Sequence, residues 1–383
     1  MSDITDAVRL LETLVAFPTV SHQSNRALVA FVSDYLSGLG VEHHIFPDES
    51  GEKEGLIAHI GPKIEGGVIL SGHTDVVPTE GQSWRHDPWA LTLEDERYYG
   101  RGTCDMKGFL ALVLAAVPQM LAQPLARPIQ LAFSYDEEPG CLGTLPLIDT
   151  LAQHYPRAES VIVGEPTKMK VVTGLKGGIG IKTTLRGLAA HSSNPGRGVS
   201  AIAHALPLIA WHEQQMARQK ATASHSGFDP AFTTLQVGTI TGGTALNTVP
   251  DECIFESDIR YVPPQTAEDW VAAYRAETAK VEAAMRTRHP EASVTLSDID
   301  IAPALAPQPG NAAEELARRL TGDNSDNLVA YQTEAGHFQA AGYATVVCGP
   351  GNIAQAHQAD EYITADELHR GTAFLSKLID SLR

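Results

Sequence analysis

The sequence predicts an α/β fold into which a second, α+β unit is inserted. Three observations predict it. Short apolar runs at residues 68–70, 129–133, 160–163 and 345–347 read as strands buried on both faces of a parallel sheet. Strand, loop and helix alternate up to about Gly177, as βαβ units do. From Gly178 the pattern changes to an alternation of apolar and polar residues, which marks a half-exposed antiparallel strand.

The elements follow in order. Leu28, Phe31, Val32, Tyr35 and Leu39 recur at helical spacing, and the helix ends at Gly40. A strand over 67–70 leads into a first loop, and a buried helix is expected over 109–121, opening after the Asp105 loop. The second unit should contain a strand over 178–187, a helix over 200–217, strands over 233–240 and 252–260, a helix over 267–288 and a strand over 293–301. This β-α-β-β-α-β order is that of a ferredoxin-like sandwich. Because residues 345–357 must rejoin the first sheet, the sandwich is expected as an insertion, with linkers near 176–178 and 302–309. The expected division is 1–178 with 299–383 for the first domain and 179–298 for the second.

Composition narrows the function. A chain of 383 residues is long enough for two domains or one large one. Its net charge of −18 argues against nucleic acid or an anionic membrane surface as a partner. The first six residues show no basic stretch followed by an apolar core, so no signal peptide is visible. The most apolar window, 109–117, is too short to span a bilayer. Cys104, Cys141, Cys253 and Cys348 lack CxxC spacing, which fits reduced thiols in the cytoplasm better than disulfides.

The chemistry lies in five segments that each offer an imidazole or a carboxylate: His73 with Asp75, Asp105, Asp136-Glu137-Glu138, Glu165, and His357. Each has an ordinary reading when taken alone. His73 and His357 could be structural, Asp105 a helix cap, and Asp136-Glu137-Glu138 a solvated turn. Four of the five, however, follow the apolar runs, and open α/β sheets place ligands outside the carboxyl ends of their strands. Three consecutive acids at a strand end repel one another unless cations compensate. Two histidines and several carboxylates on one sheet edge suit a pair of zinc ions sharing a bridging carboxylate. Cys104 is a poorer ligand than its neighbour Asp105 in so oxygen-rich a site.

From about Leu10 onward these motifs resemble the dinuclear-zinc aminoacylase and carboxypeptidase family. The stretches that carry the resemblance are His73-Thr74-Asp75-Val76-Val77-Pro78, the segment 100–108, Glu137-Glu138-Pro139-Gly140, Gly164-Glu165-Pro166-Thr167 and the His357 segment. The resemblance implies a zinc-binding catalytic domain with an inserted dimerisation domain, and two Zn2+ per chain with Co2+ as a possible substitute. His73 and Glu165 would hold one ion, Glu138 and His357 the other, and Asp105 would bridge them. Glu137 would be the general base, Asp75 would steady His73, and the peptide after Asp105 would be cis. In the inserted domain His191 would reach the active site of the other subunit of a homodimer. Asn247 and Arg260 would contact the substrate carboxylate.

The implied activity is metal-dependent hydrolysis of the amide of a small N-acyl amino acid. Gly102–Phe109, Thr333-Glu334-Ala335-Gly336 and 347–357 are most similar to the branch that deacetylates N2-acetyl-L-ornithine in arginine biosynthesis. His337 falls where that branch leads one to expect an apolar residue. N-acetylcitrulline, succinyl-diaminopimelate and dipeptides are the rival substrates. A metal-binding module without catalysis is the rival of another class.

Overall fold

The computed structural model describes residues 3–223 and 227–383; residues 1–2 and 224–226 lie outside the described residues. The chain begins with α1 (Thr5–Val15), α2 (Arg26–Gly38), β1 (Glu42–Pro47), β2 (Glu54–Ile60) and β3 (Val68–His73). Next come β4 (Thr92–Glu94), β5 (Arg97–Tyr99), α3 (Lys107–Leu121), β6 (Ile129–Ser134), α4 (Thr144–His154), β7 (Ser160–Pro166) and β8 (Val172–Leu175). A middle stretch holds β9 (Gly177–Arg186), α5 (Ala201–Ala221), β10 (Thr234–Gly242), β11 (Glu252–Tyr261), α6 (Ala267–Arg286) and β12 (Ser293–Ala302). The chain closes with α7 (Ala312–Thr321), β13 (Asn327–Val329), α8 (Ala335–Ala340), β14 (Ala344–Gly349), β15 (Tyr362–Thr364) and α9 (Ala365–Ser381).

Two compact units result. One contains the chain up to Gly174, Pro307–Asn327 and Thr333–Arg383; the other contains Leu175–Ala306 and Leu328–Gln332.

Among the described residues the strands of the largest sheet run β1-β2-β6-β3-β7-β14-β8-β13. Its middle pairs β6–β3, β3–β7 and β7–β14 are parallel, and these are the four apolar runs legible in the sequence. Antiparallel pairs β1–β2, β2–β6 and β14–β8 extend the sheet on either side. Val68, Leu70, Leu131, Ile162 and Val346 join the apolar cluster formed with α1, α3 and α9. The alternate residues Ile69, Val161, Val163 and Val347 are buried as well, so neither face of the middle strands is open to solvent. Helix α3 is buried from Lys107 to Leu114 and so lacks the polar stripe of a surface helix.

The second unit has a four-stranded antiparallel sheet ordered β10-β11-β9-β12. Burial alternates along β9 and β11, and the buried side packs on α5 and α6 through Trp211, Trp270, Tyr274, Phe255 and Ile179. Element order and strand order together are those of a ferredoxin-like sandwich.

Packing is close where β7 meets α3. A Cβ on Gly164 would overlap the Phe109 ring. Gly164→Ala is therefore expected to lower the unfolding free energy by about 1–3 kcal/mol, the usual cost of overpacking a core. Urea titration checks this, and unchanged stability would contradict the close approach.

Candidate metal centre

Parallel register explains why the five segments meet. His73, the last residue of β3, pairs with Ser134, the last of β6, and Ser71 pairs with Val163, two residues before Glu165. The turn carrying Asp136–Glu138 leaves β6, and His357 follows β14 at the same edge of the sheet. Asp105 enters from the loop before α3, and its peptide bond to Met106 is cis.

The two oxygens of Asp105 face two different imidazoles. Oδ1 lies 3.1 Å from His73 Nε2 and Oδ2 lies 3.4 Å from His357 Nε2. Glu165 Oε1 stands 3.6 Å from His73 Nε2, and Glu138 Oε2 stands 3.0 Å from His357 Nε2. Each imidazole thus shares its neighbourhood with one oxygen of Asp105 and one glutamate. Ligand atoms of His73, Glu137 and Glu165 lie within 4.8 Å of one another, as do those of His73, Asp105 and Glu138. Grouping by distance alone therefore includes Glu137, whereas pairing around each imidazole leaves it free.

Hydrogen bonds set the tautomer of His73. Its Nδ1 lies 2.9 Å from the backbone carbonyl of Asp75, which can only accept, so Nδ1 carries a proton and Nε2 is the nitrogen turned toward Asp105 and Glu165. The carboxylate of Asp75 is slightly farther, with Oδ1 3.4 Å from Nδ1. That carboxylate also accepts from the backbone N–H of Glu137 and Glu138 and from Ser21 Oγ. Asp75 therefore steadies the acidic turn as well as the imidazole, a role its sequence position does not advertise.

The charges are unbalanced. Burial, reinforced by Asp105 and Glu137, pushes the Glu165 carboxyl well above the usual range. Burial does the same to Glu137, with His73 opposing and Glu138 and Asp105 adding. Burial would raise Asp105 too, but its hydrogen bonds to His357 and His73 outweigh it and hold that carboxyl below the usual range. The same contacts with Asp105 and Glu138 push His357 up to about 10. Protonated imidazoles thus supply the positive charge that a divalent cation would otherwise bring. Glu138 Oε1 and Glu165 Oε1 are buried without a hydrogen-bond donor. Such oxygens are expensive to leave bare. A set of two imidazoles and three carboxylates with two orphaned oxygens fits hard or borderline divalent cations.

The remaining site residues behave less uniformly. Asp136, expected with Glu137 and Glu138 to need cations, instead pairs with the buried Lys53 at 2.6 Å. Only the last two acids of the run turn to the cluster. Cys104 is buried, its thiol is pushed well up by burial, and its Sγ donates to the Asn352 carbonyl at 3.4 Å. His337 is buried with Nε2 unpartnered, and burial drives it down to about 4. A neutral ring explains how it occupies a place suited to an apolar residue. Glu334 was visible only as part of a motif. It is fully buried and accepts from Ser71 Oγ at 2.6 Å and Ser134 Oγ at 2.8 Å, which ties α8 to β3 and β6.

In the second unit His191 and Asn247 are neighbours. His191 forms a bridge with Thr248, and the Ser192 N–H donates to the Asn247 carbonyl at 3.0 Å. The Ser193 N–H donates to His191 Nδ1, so Nδ1 accepts and Nε2 is the nitrogen that carries a proton. Both residues are exposed. Arg260 lies elsewhere on the sheet. It pairs with Gly178 and Thr234, and its Nε contacts Asp258 at 2.8 Å. Glu252 and Arg260 lie eight positions apart on β11, and at roughly 3.3 Å per residue that is ~26 Å along the strand.

Comparison with known proteins agrees with this architecture. Residues 69–381 match the model for peptidase family M20/M25/M40. An acetylornithine deacetylase from Pasteurella multocida (strain Pm70) is 33% identical over 388 residues, covering 99% of this chain and 98% of that protein. An M20 family metallo-carboxypeptidase from Sulfolobus solfataricus superposes with a TM-score of 0.75 at 18% identity, covering 99% of both chains. A dinuclear metal-binding peptidase of the same family from Bacillus subtilis gives a TM-score of 0.66 at 15% identity, covering 99% of this chain and 98% of that one.

If cations complete the cluster, they should stabilise the fold. Protein stripped with a chelator is expected to melt lower than protein with Zn2+ or Co2+ added back. A ligand at 100 times its Kd contributes about 2.7 kcal/mol. Calorimetric melting curves that do not respond to either ion would show that protonation alone satisfies the acids.

Proposed function

Because the chain belongs to peptidase family M20/M25/M40, and so is a metal-dependent hydrolase acting on amide bonds, we propose that it removes the acetyl group from N2-acetyl-L-ornithine to give ornithine and acetate. The substrate rests on one observation, the 33% identity over 99% of the chain to a relative named acetylornithine deacetylase. Arginine biosynthesis in the cytoplasm is the setting that goes with this reading. The four unpaired cysteines accord with it. Among the described residues no helix is long and apolar enough to cross a membrane.

His73 and Glu165 would hold one zinc, Glu138 and His357 the second, and Asp105 both. Bound there, the ions would polarise the amide carbonyl and acidify the attacking water. Glu137 takes the proton of that water and returns it to the leaving amine. Its place beside the cluster and its raised affinity for a proton suit both halves of that transfer. Asp75 keeps Glu137 aimed through its hydrogen bond from the Glu137 N–H. His191 donates from Nε2 to the oxyanion of the tetrahedral intermediate. Asn247 and Arg260 bind the α-carboxylate, and a bidentate Arg260 contact contributes roughly 1.5–3 kcal/mol.

The spread of these three residues favours a homodimer in which residues 179–298 dimerise. Arg260 stands at the end of the sheet where the chain enters at Gly177 and leaves at Ala302, while His191 and Asn247 stand at the other end. Groups at opposite ends of one sheet are poorly placed to meet on one small molecule within a single chain. A second chain supplying His191 and Asn247 resolves this.

Two experiments test the reading. Turnover of N2-acetyl-L-ornithine, N-acetylcitrulline, succinyl-diaminopimelate and dipeptides by zinc-loaded protein should favour the first. Equal or faster hydrolysis of a rival would overturn the substrate and leave the hydrolase class standing. Glu137→Gln should retain its metal content and lose at least ~10²-fold in kcat, the scale of general-base catalysis. Near-normal turnover would remove Glu137 from that role.

A further inference from the structure

Glu361 lies outside the proposed ligand set, yet its carboxylate is among the most heavily hydrogen-bonded acids of the first unit. Only 1% of the residue is exposed. Oε2 accepts from Arg101 Nη1 at 2.7 Å and from the Gly102 N–H at 3.0 Å. Oε1 accepts from the Cys104 N–H at 2.9 Å and from the Asp105 N–H at 3.0 Å. The Glu361 backbone carbonyl also accepts from the Gly100 N–H at 3.0 Å. All these donors belong to residues 100–105, the loop that ends on Asp105.

Four donors on two oxygens demand an acceptor at every position, which only the ionised carboxylate offers. Burial pushes this carboxyl up, and Arg101 and the Gly102 and Asp105 amides oppose that. Arg101 extends the contact to the neighbouring loop. Its Nη1 reaches the Gln358 carbonyl at 3.3 Å, and its Nη2 reaches Gln82 Oε1 at 2.6 Å. Gln82 Nε2 in turn donates to the His357 carbonyl at 3.0 Å. One buried acid thus joins the loop of Asp105 to the loop of His357, and these two side chains face each other at 3.4 Å.

We propose that Glu361 is a positioning residue for the metal pair, a carboxylate that gathers the backbone amides before Asp105 and so presets the distance and angle between Asp105 and His357. This rests on the two-metal reading of the site. Ordinary core ion pairs stabilise a fold whether or not a metal is present. A residue that presets ligand geometry acts mainly on the metal-bound state, and replacing such outer partners typically costs 10–100-fold in metal affinity.

Glu361→Gln keeps the size but replaces one oxygen with an NH2 group, which must face N–H donors. Co2+ titration of chelator-stripped protein, followed by absorption, reads the affinity, and melting curves with and without Co2+ read the metal-induced gain. The variant is expected to bind Co2+ at least ~10-fold more weakly and to gain less in Tm on adding it than the unmodified protein does. Glu361→Asp keeps the charge on a shorter arm and should weaken binding less than Gln does. It carries the test if the Gln variant fails to fold. Unmodified protein that binds Co2+, with variants that match its affinity and its Tm gain, would overturn the inference alone. Unmodified protein that takes up no ion would overturn the metal reading, and this inference with it.

Discussion

Everything at the carboxyl edge of the parallel strands is governed by the cost of burying acids. Asp75, Asp105, Glu165, Glu334 and Glu361 are all 5% exposed or less, and Glu137 and Glu138 stand half-buried beside them. Isolated carboxylates do not survive in such surroundings; they find donors, counter-charges or protons. The fold brings them together because parallel strands end in register, and the remaining architecture deals with the consequence.

The acids divide by how they are satisfied. Asp75, Glu334 and Glu361 accept hydrogen bonds from fixed backbone amides, serines or Arg101. Asp136 has Lys53. These four are complete in the protein alone. Glu138 and Glu165 each keep a buried oxygen without a donor, and Asp105 has imidazoles on both of its oxygens. Incomplete carboxylates are the ones a cation can use, and complete ones hold the loops that carry them.

Distance along a strand does similar work in the second unit. His191 and Asn247 share one end of the antiparallel sheet, and Arg260 sits near the other. These polar residues are thereby kept apart within the unit.

Local pattern determined much of this protein. Short apolar runs long enough to cross a sheet marked the four parallel strands, alternation marked β9, and ligand-type residues placed just past those runs marked His73, Glu138, Glu165 and His357. These features depend on neighbours within about ten residues, so they are legible without a structure. The antiparallel strands β1 and β2 were not; β1 joins the sheet only through β2, and β2 through β6, about 70 residues on. Nor were the satisfied acids. Ser71 and Glu334 are 263 positions apart, Asp105 and Glu361 are 256 apart, and Lys53 and Asp136 are 83 apart. Whether an acid is a ligand, a brace or one half of an ion pair depends on which donors the folded chain sets against it. Sequence determines which residues are acids and where the strands carry them; only the tertiary structure decides which of those acids are left wanting a charge.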